Sequence, residues 1–98
     1  MIAAFSITPL GGGDSVSASV AEAVRIVRAS GLPNETNAMF TNVEGEWDEV
    51  MGLIKQCVDK VGESAPRVSL VIKIDQRPGS VDALHHKVDA IESRLRQD

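Results

Sequence analysis

Residues 67–75, Arg-Val-Ser-Leu-Val-Ile-Lys-Ile-Asp, constrain the fold more than any other segment. In an extended chain Val68, Leu70, Ile72 and Ile74 fall on one face, and Ser69, Val71, Lys73 and Asp75 on the other. A half-buried strand of this kind needs strand neighbours and a layer over its apolar side. That layer is legible just upstream. Trp47, Val50, Ile54, Cys57 and Val61 recur at spacings of three and four, an amphipathic helical stripe. Glu46, Asp48 and Glu49 suit the positive end of that helix, and Gly62 and Pro66 bracket its other end.

The first half of the chain also pairs a strand with a helix, here with the strand first. Residues Ile2 to Thr8 read as a strand closed by Pro9, with Ala3, Phe5 and Ile7 on one face and Ile2, Ala4, Ser6 and Thr8 on the other. Gly11-Gly12-Gly13 forms a flexible connection, and Asp14 or Ser15 can cap a helix from about Val16 to Ser30. Val20, Val24 and Val27 form its stripe, and Gly31 and Pro33 end it. A last helix is expected after a turn and cap at Pro78-Gly79-Ser80, running to about Arg96.

Between the first two helices lies an unusually polar stretch, Asn34 to Trp47. It must hold one bent strand or two short ones; two are expected, turning near Met39 to Thr41. The resulting order predicts an α+β, ferredoxin-like βαββαβ sandwich: a four-stranded antiparallel sheet, two helices on one face and an added C-terminal helix. The length of 98 residues suits a single domain spanning residues 1–98. The sheet face without helices should carry Ala4, Ser6, Thr8, Ser69, Val71 and Lys73.

A net charge of −4 without a basic run argues against nucleic acid, as does the lack of stacking aromatics on the strands. The apolar start has no positive n-region and is too short for a signal or a membrane span. With Cys57 as the single cysteine there is no internal disulfide, and the cytoplasm is the expected compartment.

The glycine run lacks both the Gly-Lys-Ser/Thr ending of a P-loop and the dinucleotide fingerprint, so it reads as a turn. Adjacent His85 and His86 diverge by about 100° on a helix and do not jointly clasp a metal. Cys57 lies on an apolar stripe and reads as a buried, inert thiol. Glu44 either touches a ligand or faces the dipole of the second helix. Val81, Leu84, Val88, Ile91 and Leu95 form an a/d stripe that packs on its own domain or on another subunit. No nucleophile–base pair emerges, so binding is expected rather than catalysis. A small enzyme acting over the open sheet face and a regulatory interaction module remain as alternatives.

Several stretches together carry a resemblance: Ile2-Ala3-Ala4-Phe5-Ser6-Ile7-Thr8-Pro9-Leu10-Gly11, Val20-Ala21-Glu22-Ala23-Val24-Arg25-Ile26-Val27 and Ser30-Gly31-Leu32-Pro33-Asn34. So do Met39-Phe40-Thr41-Asn42-Val43-Glu44-Gly45-Glu46-Trp47-Asp48-Glu49-Val50 and the strand from Pro66 to Asp75. With them the chain resembles the thiamine-binding family of small ferredoxin-like proteins, formerly an uncharacterised protein family. The resemblance implies binding of thiamine or its hydroxymethylpyrimidine moiety by a homo-oligomer, a tetramer of paired dimers, with thiamine as ligand and no further cofactor. An aminopyrimidine presents an amino donor beside ring-nitrogen acceptors, which hydroxyls, carboxamides and carboxylates can read. By strand parity the candidate pocket residues are Ser6, Thr8, Asn34, Asn37, Thr41 and Glu44, with Phe40 stacking on the ring. Glu35 or Glu44 would favour the thiazolium cation.

Overall fold

The computed structural model describes residues 1–12, 16–78 and 83–97. In chain order its elements are β1 (Ile2–Leu10), α1 (Val16–Ala29), β2 (Asn34–Thr36), β3 (Thr41–Glu44), α2 (Trp47–Gly62), β4 (Arg67–Asp75) and α3 (Ala83–Gln97). The four strands form one sheet in the order β2-β3-β1-β4, with every neighbouring pair antiparallel. This is the ferredoxin-like arrangement expected from the alternation of strand and helix periodicities, with α3 added.

Register assigns the faces. Opposed residues of antiparallel strands point to the same side, so the pairs Ala3↔Ile74, Phe5↔Ile72, Ile7↔Leu70 and Pro9↔Val68 share the helix-covered face. Ala4↔Lys73, Ser6↔Val71 and Thr8↔Ser69 share the open one, as the sequence indicated. Ala3, Phe5, Ile7 and Val43 from the sheet, Ala23 and Val27 from α1, and Val50, Leu53, Ile54, Cys57 and Val61 from α2 make one buried cluster. In it the Cys57 thiol faces the Ala23 carbonyl at 3.5 Å, and burial pushes its pKa up to about 11. It is the inert thiol expected of its position.

Three details depart from the sequence reading. Pro9 does not close β1: the strand runs on through Leu10. At that point β1 pairs with β4 alone, and an edge strand tolerates a proline. Trp47 opens α2 but is 48% exposed, because the acidic first turn around it is solvated, and Leu53 joins the buried stripe in its place. Glu49 instead fixes the helix start, its Oε1 accepting the Glu46 N–H at 3.1 Å. The turn between β2 and β3 spans residues 37–40, earlier than expected, because Asn37 closes it. The expected caps at Asp14, Ser15 and Ser80, together with Gly13, Gly79 and Val81, lie outside the described residues.

The N-terminal part of α3 touches the open face at the end of the sheet near Glu44. The Leu84 N–H donates to Glu44 Oε1 at 3.3 Å, and Leu84 itself is buried. Lys87 pairs with Asp75, holding that carboxyl below its ordinary range. Beyond this anchorage Val88, Ile91 and Leu95 are 53, 60 and 61% exposed, and the molecule is elongated, 50 × 29 × 20 Å. No described helix is long and apolar enough to cross a membrane.

Candidate functional site

The site follows from a mismatch of strand lengths. The β1–β4 ladder extends from Ile2↔Asp75 to Leu10↔Arg67, whereas the β1–β3 ladder stops at Phe5↔Thr41. Beside residues 6–9 the sheet therefore has a gap. A pocket of about 270 Å³ occupies it, with α1 on one side and the 37–40 turn on another. Phe5, Ile7, Val20, Ala23 and Val24 give it an apolar wall, and Ser6, Thr8, Thr36, Asn37 and Thr41 supply polar groups around it. Ala38, Met39 and Phe40 arch over it. Among the described lining residues there is no Asp, Glu, Lys, Arg or His.

The turn is shaped by one side chain. Asn37 Oδ1 accepts the N–H groups of Met39 and Phe40, both at 2.9 Å, and the Asn37 N–H donates to the Phe40 carbonyl at 2.9 Å. Asparagine is suited to this because its carboxamide oxygen reaches main-chain donors two and three residues on. The Asn37 oxygen therefore holds the turn, and only its Nδ2 is left to address a ligand.

Of the residues anticipated from sequence, Ser6, Thr8, Asn37, Phe40 and Thr41 come together at this pocket. Asn34 and Glu44 do not. Asn34 Nδ2 donates to the Leu32 carbonyl at 2.8 Å, at the far end of the short β2–β3 hairpin. Glu44 is 6% exposed and faces the first turn of α3, so its dipole partner is the third helix and not the second. Glu35, the other carboxylate considered for a cation, lies across from Asn42 on the open face, with His85 Nε2 at 3.5 Å. The pocket also sits differently from the expectation. Parity had suggested the open face of β1, but Thr41 pairs with Phe5 and is buried on the helix side. Sequence missed the lining from Thr36, Val16, Val20 and Val24, because nothing local reveals that β3 stops short of β1.

Among the described residues no group of His, Cys, Asp and Glu is placed to hold a metal ion. His85 and His86 lie on α3, away from the pocket.

Known proteins match this chain along most of its length. The family model described as thiamine-binding protein matches residues 3–92. A UPF0045 protein of Mycobacterium bovis is 53% identical over 96 residues, covering 97% of this chain and 94% of its own. One from Methanocaldococcus jannaschii is 37% identical over 91 residues, covering 93% and 91%. A crystal structure of a hypothetical protein from that archaeon superposes with a TM-score of 0.83 at 37% identity, over 93% of this chain and 94% of that one. A candidate thiamine biosynthesis or salvage protein of Thermotoga maritima superposes with a TM-score of 0.78 over 91% and 96% of the two chains. At 20% identity that likeness speaks for the fold.

Proposed function

The chain belongs to the thiamine-binding protein family, and from that premise we propose that it binds thiamine through its hydroxymethylpyrimidine moiety without converting it. The pocket beside β1 is the observation that carries this reading. At about 270 Å³ it falls just below the ~300–1,000 Å³ of sites for drug-sized ligands, a size that suits a single substituted ring. Its apolar wall and hydroxyl-bearing rim match a flat heterocycle with polar substituents, and Phe5 and Phe40 are the aromatics at hand for ring contact. With no ionised side chain among the described lining, the neutral pyrimidine is the better fit, and the thiazolium belongs toward solvent.

The lack of any Cys, His, Lys, Asp or Glu in the described lining favours binding over chemistry, since general acid–base or nucleophilic catalysis needs such groups at the ligand. The exposed α3 stripe of Val88, Ile91 and Leu95 and the exposed Val71 on the open face favour a homo-oligomer, the family resemblance favours a tetramer, and the single cysteine is compatible with the reducing cytoplasm. Isothermal calorimetry and thermal-shift titration with thiamine and with hydroxymethylpyrimidine test the reading. Heat and a raised Tm with either ligand are expected. No heat and no shift at millimolar ligand would overturn it.

A further inference from the structure

Main-chain hydrogen bonds fix which way each peptide group of β1 points. On β3, the Phe40 carbonyl accepts from Asn37 and the Glu44 N–H donates to Pro33, both on the β2 side. In an antiparallel ladder the N–H and C=O of one residue share a side and successive residues alternate. Thr41 and Val43 therefore turn their main-chain groups toward β1, and their partners Phe5 and Ala3 turn theirs toward β3. Met1 follows the same parity, exchanging two bonds with Gly45, each 3.0 Å. Carried forward, the alternation points Ile7 and Pro9 to the side where β3 has ended, while Ser6 and Thr8 serve the β4 ladder.

Ile7 lines the pocket, so the gap in the sheet presents one N–H donor and one C=O acceptor side by side. Among the described residues no strand or turn residue bonds to them from that side. Pro9, next on that side, adds a carbonyl and has no N–H to leave unsatisfied. Polar main chain at the apolar wall of the pocket needs a partner, and water supplies it only while the pocket is wet.

We propose that this strand edge is the recognition element of the site. A planar, uncharged heterocycle carrying an amino donor next to a ring-nitrogen acceptor pairs with the Ile7 C=O and N–H. It thereby takes the place along β1 that β3 leaves vacant after Thr41. The ring lies roughly in the plane of the sheet, with the Val20 and Val24 side chains of α1 against its helix-facing surface. Side-chain hydroxyls at Ser6 and Thr8 point to the open face and flank the ligand without making the defining bonds. The proposal rests on the pyrimidine reading above and adds which ligand atoms are read and by what.

Residue-resolved amide exchange on ¹⁵N-labelled protein tests it, with and without saturating hydroxymethylpyrimidine, alongside calorimetry on the same samples. The expected result is exchange at the Ile7 amide slowed about tenfold or more by ligand, with the Ser6 and Thr8 amides unchanged. The analogue whose amino group is replaced by hydrogen should bind about tenfold more weakly. Calorimetric binding with unaltered Ile7 exchange, or equal affinity for the analogue, overturns edge recognition and leaves the ligand assignment standing. No binding of either compound overturns the ligand assignment, and edge recognition of a pyrimidine with it.

Discussion

Replacing Glu44 by alanine should undock α3 while leaving the sandwich folded. Glu44 is buried, and its Oε1 accepts the Leu84 N–H at 3.3 Å in the first turn of α3. Losing a side-chain acceptor at a helix N-terminus costs about 0.5–2 kcal/mol, and a carboxylate in a partly buried dipole position reaches about the same upper value. These are two views of one interaction, so the expected cost is about 1–2 kcal/mol and not their sum. Beside it, among the described residues, α3 is held by the buried Leu84 side chain and by two ion pairs. Lys87–Asp75 and His85–Glu35 are solvent-exposed pairs, of a kind that adds little to stability. Undocked, a helix of 15 residues is at the margin of independent stability in water. Amide exchange in α3 should therefore accelerate about five- to thirtyfold, and trypsin should cut sooner at Lys87 and Arg94, while exchange at Val27 and Ile54 holds. Glu44→Gln keeps an acceptor and most of the volume and should show about half the effect. Measured at one protein concentration, equal loss of protection in α3 and in the core would refute the argument. So would an α3 that is unmoved by Glu44→Ala.

Three further outcomes are expected. Cys57 has its folded pKa raised from 9.0 to about 11, so its contribution to stability is intact below pH 9 and is lost as pH rises toward 11; urea titrations should show a decline of roughly 2 kcal/mol across that window that is absent in Cys57→Ala. Asn37→Ala removes the acceptor for two turn amides and should both destabilise the hairpin by about 1–2 kcal/mol and weaken ligand binding, whereas Asn37→Asp keeps the turn, as amide chemical shifts of Met39 and Phe40 would show. Gly12→Ala would drive a Cβ into the Ser64 carbonyl oxygen and to 3.0 Å from the Ala65 Cα, backbone that cannot swing aside; a loss of about 1–3 kcal/mol in thermal unfolding is expected.

The architecture was readable because its signals are local. The period-two alternation of residues 67–75 and the three-four spacing of Val50, Ile54, Cys57 and Val61 each specify an element and its buried face without reference to anything distant. The site was only half readable for the opposite reason. That Ser6, Thr8, Asn37, Phe40 and Thr41 converge depends on where β3 stops relative to β1, a matter of pairing register that no short window encodes. Asn37 did carry a local signal, a side chain able to cap its own turn, and reading it would have placed the turn two residues earlier. Glu44 was misassigned between helices because the partner that buries it comes from 40 residues further along the chain.

Pro9 has a consequence beyond tolerating its place in β1. A free strand edge beside an apolar cavity invites another polypeptide to zip along it, the route by which sheets extend into aggregates. Here an incoming strand would find the Ile7 donor and then, two residues on, a ring nitrogen with no hydrogen. Its ladder would fail after a single pair. The proline thus works as a guard on the gap: the opening admits a molecule needing one donor and one acceptor, and turns away a chain needing a series of them.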